Sequence, residues 1–152
     1  MEIEKKYLVS KLNFNPEKYP SKEIEQGYIS TDPVIRIRKY GKDYILTIKG
    51  KGHLAREEYE LDISAVQYQN LLSKVDNSII TKIRYYIPLN DSLTAELDVY
   101  EGFLKGLMTV EVEFPTIEEA ENFISPSWFG KDVTFDKRYK NASLSIYGIP
   151  EN

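Results

Sequence analysis

Six pairs of like-charged residues recur along this chain, each with its members two positions apart. Four are acidic: Glu2/Glu4, Glu58/Glu60, Glu96/Asp98 and Glu111/Glu113. Two are basic: Arg36/Arg38 and Lys82/Arg84. In an extended strand successive side chains alternate between faces, so each pair shares a face with its members about 6.6 Å apart along the strand. That is too far for a hydrogen bond between carboxyls, but close enough to share divalent cations and their waters. Like charges this close repel unless something of opposite sign lies between them. Arg and Lys clamp phosphate oxygens directly. Carboxylates reach a polyanion only through a hard cation such as Mg²⁺ or Mn²⁺, which takes oxygen ligands from both partners. Acidic and basic pairs gathered in one cavity therefore read as a metal-dependent polyphosphate site.

Positioning such pairs requires strands. Alternating polarity predicts eight of them: one from the N-terminus through Tyr7, then residues 23–30, 34–40, 44–49, 55–62, 79–88, 94–100 and 109–114. Ser64 and Gln67 form a capping-box pattern before Tyr68, Leu71, Leu72 and Val75, which recur at helical spacing. Thr116 and Glu119 open a second, shorter helix that ends before Pro126. The rest, through Trp128 and residues 136–140, reads as irregular with short helical or strand pieces. An open antiparallel sheet with one wet face gives the same alternation. However, a solvated face mixes Thr, Ser, Gln and Lys, whereas here the charges are sorted into like-signed pairs. Closing the sheet removes its edges, and about eight strands enclose a lumen wide enough for a small ligand. The expected architecture is thus mainly β (α+β): an eight-stranded antiparallel barrel with a charged interior and a few outer helices, one domain over residues 1–152. Outward apolar stripes in excess of what two helices cover would suit a homodimer.

Composition narrows the class. Of 152 residues 41% are hydrophobic and 29% charged, as in an ordinary globular domain. A net charge of −4 argues against a nucleic-acid binder. With no cysteine, disulfides and thiolate metal sites are excluded. No apolar run reaches membrane-span or signal-peptide length, and a cytoplasmic protein is expected. Gly50-Lys-Gly-His53 lacks the third glycine and the βαβ setting of a dinucleotide loop, and no Walker lysine loop is present. His53, the single histidine, reads as a surface residue in a Gly-flanked turn, and residues 51–55 suggest no role. Most of the twelve tyrosines stand at apolar strand positions and read as packing.

The ordered set of motifs resembles a known family. Glu2-Ile-Glu4-Lys-Lys6 is similar to the Glu-x-Glu-x-Lys signature of the CYTH superfamily, the triphosphate tunnel metalloenzymes. The likeness continues through Ile35-Arg-Ile-Arg38, Thr47-Ile-Lys49, Arg56-Glu-Glu-Tyr-Glu60, Lys82-Ile-Arg84, Glu96-Leu-Asp98, Val110-Glu-Val-Glu-Phe114 and Asp136-Lys-Arg-Tyr139. It implies a tunnel and hydrolysis of a small-molecule triphosphate, inorganic tripolyphosphate and nucleoside triphosphates among them, by attack of metal-bound water on a terminal phosphoryl group. It also implies Mg²⁺ or Mn²⁺, two ions, held by Glu2, Glu4, Glu111, Glu113 and Asp98. Catalysis falls to Glu2, Glu4 and Lys6, and phosphate binding to Lys6, Arg36, Arg38, Lys49, Arg56, Lys82, Arg84 and Arg138. Class IV adenylyl cyclases and thiamine triphosphatases carry the same motifs and remain alternatives. So does a polyphosphate- or nucleotide-binding module without catalysis.

Overall fold

The computed structural model describes residues 1–90 and 92–151. Nine strands are present among them: β1 (Glu2–Leu8), β2 (Ser21–Thr31), β3 (Val34–Tyr40), β4 (Asp43–Lys49), β5 (Ala55–Arg56), β6 (Glu58–Asp62), β7 (Ile80–Pro88), β8 (Thr94–Tyr100) and β9 (Met108–Glu113). All pair antiparallel in one sheet, in the order β5-β1-β9-β8-β7-β2-β3-β4-β6. The two outermost strands are consecutive in the chain, parted only by Glu57. β5 pairs with β1, setting Arg56 opposite Glu2, while β6 pairs with β4, setting Glu58 opposite Lys49. One stretch of chain therefore spans the seam and brings the sheet round into a nearly closed barrel. This is where eight expected strands become nine. Alternation over 55–62 reads as a single strand, but its two halves serve two different partners and the ladder breaks at Glu57.

Apolar stripes face out, and much of their cover comes from the second half of the chain. Tyr7, Leu97, Val110 and Val112 on β1, β8 and β9 pack with Phe114, Ala120 and Phe129. The cover is α2 (Ile117–Glu121), started by Thr116 Oγ1 accepting from Glu119 N, together with Phe123 and Trp128. Each large apolar side chain buried this way contributes about 1.5–3 kcal/mol. A second cluster joins Tyr28, Ile80, Tyr100 and Leu104 to Val133, Tyr139 and Leu144, the last on α3 (Asn141–Tyr147). The third helix, α1 (Ala65–Leu72), has both halves of the Ser64/Gln67 capping box and buries Tyr68. One outer face stays uncovered, with Ile48 on β4 and Tyr59 and Leu61 on β6 exposed. Among the described residues no helix is long and apolar enough to cross a membrane.

Candidate active site

The polar faces of the strands enclose a cavity of about 370 Å³. Strand register decides which charges meet inside it. Pairing of β1 with β9 sets Glu4 opposite Glu113 and Lys6 opposite Glu111, and β8 adds Glu96 opposite Glu111. Pairing of β3 with β2 and β4 sets Arg38 opposite Gln26 and Arg36 opposite Thr47.

The acidic residues press on one another. Glu4 is raised well above the usual carboxylate range by burial and then by the charges of the neighbouring Glu111 and Glu2. Burial also lifts Glu111, but Lys6, Arg84 and Lys82 outweigh it and hold this group well below its ordinary value. Of the two, Glu4 is the more readily protonated. Glu2 is raised by burial and by its contact with Glu58, although Lys49 Nζ lies 3.2 Å from Glu2 Oε1. Burial and Glu2 raise Glu113. Abutting carboxyls that hold protons above their normal range are groups short of a cation. They are all-oxygen donors, and they meet two at a time. Among the described residues no three such side chains converge at ligand distance. One or two carboxylates per ion, with phosphate and water completing the shell, is how Mg²⁺ is held. The donor set fits a hard divalent cation.

The cations divide into two groups. Asp98 accepts from Lys82 Nζ at 2.7 Å and, in a two-point grip, from Arg84 Nε and Nη2 at 2.8 and 2.9 Å. Burial favours the protonated acid there, but Arg84 and Lys82 win and hold Asp98 down to about 2. Arg36 and Arg38 are as deeply placed, yet their hydrogen bonds go to neutral partners. Arg36 Nη2 donates to Thr47 Oγ1 at 3.2 Å, and Arg38 Nε to Gln26 Oε1 at 2.8 Å. Arg36 Nε is buried with no acceptor. Burial, then Arg36 and Arg84, push the Arg38 guanidinium down to about 9. An unpaired buried charge is costly, so two of them side by side mark an anion site.

Ten of the residues expected from the sequence line this cavity: Glu2, Glu4, Lys6, Arg36, Arg38, Lys49, Arg56, Arg84, Glu111 and Glu113. Three do not. Lys82 and Asp98 lie beneath the lining, with side chains at 0% exposure, each occupied by the other. Asp98, expected as a metal ligand, has its two oxygens hydrogen-bonded by Arg84 and Lys82, and the Lys82 ammonium, expected on phosphate, is bonded to Asp98. Arg138 points outward and pairs with Asp136 at 2.7 Å, so it does not reach the cavity. The lining also includes Glu58, Glu60, Glu96, Tyr28, His53, Thr134 and Lys140, to which the sequence reading gave no firm role. For Glu58, Glu60 and Glu96 the i, i+2 spacing was signal enough. For His53, Thr134 and Lys140 no periodicity marks the position, because turns and short helices hold them.

A nearly closed antiparallel barrel with cation-seeking acids and anion-seeking arginines in its lumen defines a tunnel domain for phosphate chains. A family model described as the CYTH domain matches residues 1–144, and this chain belongs to that family. An inorganic triphosphatase of Nitrosomonas europaea is 41% identical over 148 residues, covering 95% of this chain and 97% of the relative. Another from Acetivibrio thermocellus is 34% identical over 149 residues, covering 94% and 92%. A solved structure of an inorganic triphosphatase superposes with a TM-score of 0.71 at 38% identity, spanning 99% of this chain and 100% of that one.

Proposed function

We propose that this protein is a metal-dependent hydrolase of triphosphates, with inorganic tripolyphosphate as its principal substrate. The observation that carries this reading is the pair of buried arginines, Arg36 and Arg38, sharing one lumen with the crowded carboxyls of Glu2, Glu4, Glu111 and Glu113. A linear polyphosphate satisfies both sides. Its oxygens accept from Arg36, Arg38, Arg84, Lys49 and Arg56, and its negative charge draws cations to Glu111, Glu113, Glu4 and Glu2. Mg²⁺ or Mn²⁺, two ions in this reading, supply neutralisation of phosphate charge and acidify a water when bound. The rest falls to the chain. Arg84, held in place by Asp98, presents its Nη1 edge to the lumen, 3.7 Å from Glu96. Lys6 is aimed by its bond to Tyr139 O at 2.6 Å, leaving further N–H groups for a phosphate oxygen. Glu2 and Glu4 stand where they can orient a water toward a terminal phosphorus, with no protein nucleophile required. Phosphoryl transfer asks mainly for such positioning and charge stabilisation. The relatives named above as inorganic triphosphatases support the same substrate class. The uncovered β4–β6 face supports a homodimer.

The test measures phosphate and cyclic-nucleotide release from tripolyphosphate, ATP and thiamine triphosphate, with Mg²⁺ and Mn²⁺ compared. Phosphate released fastest from tripolyphosphate is expected; a cyclic nucleotide product moves the assignment to a cyclase. In the same assay Glu113→Gln should lower turnover about a thousandfold, since a bound cation contributes several kcal/mol to the transition state. Thermal stability should not fall. Unchanged turnover removes Glu113 from the cation site.

A further inference from the structure

We infer that His53 is a substrate contact, receiving one end of the phosphate chain together with Lys140 where the β4–β5 connection meets the C-terminal segment. This rests on the polyphosphate reading above and adds a binding residue to it. The connection is built rather than loose. Gly50 N donates to Glu57 O at 2.8 Å, Glu4 N to Leu54 O at 3.0 Å, and Lys140 Nζ to Gly52 O at 3.3 Å. Gly52 has φ +129, and a Cβ there would collide with Ala55 O, so this backbone path is open to glycine alone. The result sets His53 on the cavity wall beside Arg56 and Lys140, its ring against Phe135 with centroids 5.9 Å apart. His53 Nδ1 is shut off from water and has no partner.

The charges around the ring are one-sided. Lys140, Lys137 and Arg56 add to burial in holding the His53 imidazole below its ordinary value. Lys140 is itself pushed down to about 8, by burial and then by Arg56 and Lys6, against an opposing pull from Glu4. Arg56 has Glu2 at 3.5 Å and Glu4 at 3.9 Å, whereas Lys140 has no ionic partner among the described residues. A phosphate oxygen placed among them reverses each repulsion and accepts charge-assisted hydrogen bonds from Lys140 and from the imidazole through Nε2, the ring nitrogen that is not shut off. Arg56 then serves the next phosphate inward, and the chain is read from this corner toward Arg36 and Arg38.

The experiment compares wild type with His53→Ala and His53→Gln, using tripolyphosphate as the probe. Steady-state kinetics are run with Mg²⁺, and the ligand-induced rise in Tm is measured separately in EDTA. For His53→Ala, KM should rise about tenfold with kcat within threefold, and the Tm rise in EDTA should shrink in parallel. His53→Gln, which keeps an N–H of similar reach, should recover most of both, and the ligand-free Tm should be alike in all three. Unchanged KM and Tm rise in His53→Ala overturn the inference. So does equal damage in both variants with a lowered ligand-free Tm, which makes the ring structural. Wild-type protein that binds tripolyphosphate in EDTA but releases no phosphate from it with either Mg²⁺ or Mn²⁺ overturns the hydrolase reading while the Tm comparison still decides His53.

Discussion

Two walls of the lumen bury the same kinds of charge and treat them in opposite ways. On β7 and β8, Lys82, Arg84 and Asp98 consume one another, with three short hydrogen bonds and an acid held down to about 2. On β3, one strand beyond β7 across β2, Arg36 and Arg38 have only Thr47 and Gln26 as hydrogen-bond partners, and Arg38 is driven down to about 9. Both sets are buried, Lys82 and Asp98 the more deeply; what differs most is whether the counter-charge is part of the chain. The first wall is finished when the protein folds. The second is finished only when an anion arrives, and its cost in the empty protein is returned as affinity.

The largest expected effect comes from breaking the finished wall. Asp98→Asn leaves Lys82 and Arg84 buried beside a neutral amide, and removing one partner of a buried ion pair costs about 3–5 kcal/mol. For a chain of this size that lowers Tm by roughly 10 °C or more. Thermal melts without ligand check it. A Tm within two degrees of wild type would show that the cluster is wet and open, and the contrast between the walls would vanish.

Breaking the unfinished wall should do the reverse. Arg38→Ala removes a charge that has no ionic partner among the described residues, so Tm should hold or rise. Activity on tripolyphosphate should drop about ten- to hundredfold in kcat/KM, with KM raised and kcat lowered together, because the guanidinium acts on bound and transition states alike. A lowered Tm with unchanged kinetics would place Arg38 in the same structural category as Asp98.

This contrast also marks the limit of what the residue pattern discloses. Alternation tells which side of a strand faces inward, and it assigned Glu2, Glu4, Arg36, Arg38, Glu111 and Glu113 to the lumen where the fold has them. It does not tell how deep a residue sits, because depth is set by the register of each strand on its partner. Lys82 and Arg84 form one pair on paper. In the barrel Lys82 lies opposite Tyr100, below the floor, while Arg84 lies opposite Asp98 and reaches the cavity. Outside strands the pattern has no period to offer. The turn over Lys137–Tyr139 sends Arg138 outward and returns the chain so that Lys140 lines the cavity two residues later. The split at Glu57, which closes the barrel, follows from two partner strands and not from residues 55–62 themselves.

Lys140 gives the smallest effect and the sharpest separation of folding from binding. Its ordinary value of 10.5 falls to about 8 in the fold. Between those values the unfolded chain binds more protons, so this residue makes stability rise with pH from about 8 to 10.5, and its cost is complete below 8. Lys140→Met removes that cost. Without ligand the variant should melt about 2 °C above wild type at pH 7, a modest gain because the amine is half exposed. The gain should fade as pH approaches 10.5, where wild type has shed the proton anyway. Saturating tripolyphosphate at pH 7 should invert the order, since only wild type then gains the phosphate contact. If Lys140→Met melts lower at every pH, its bond to Gly52 O outweighs the repulsion from Arg56 and Lys6, and that corner belongs with the finished wall.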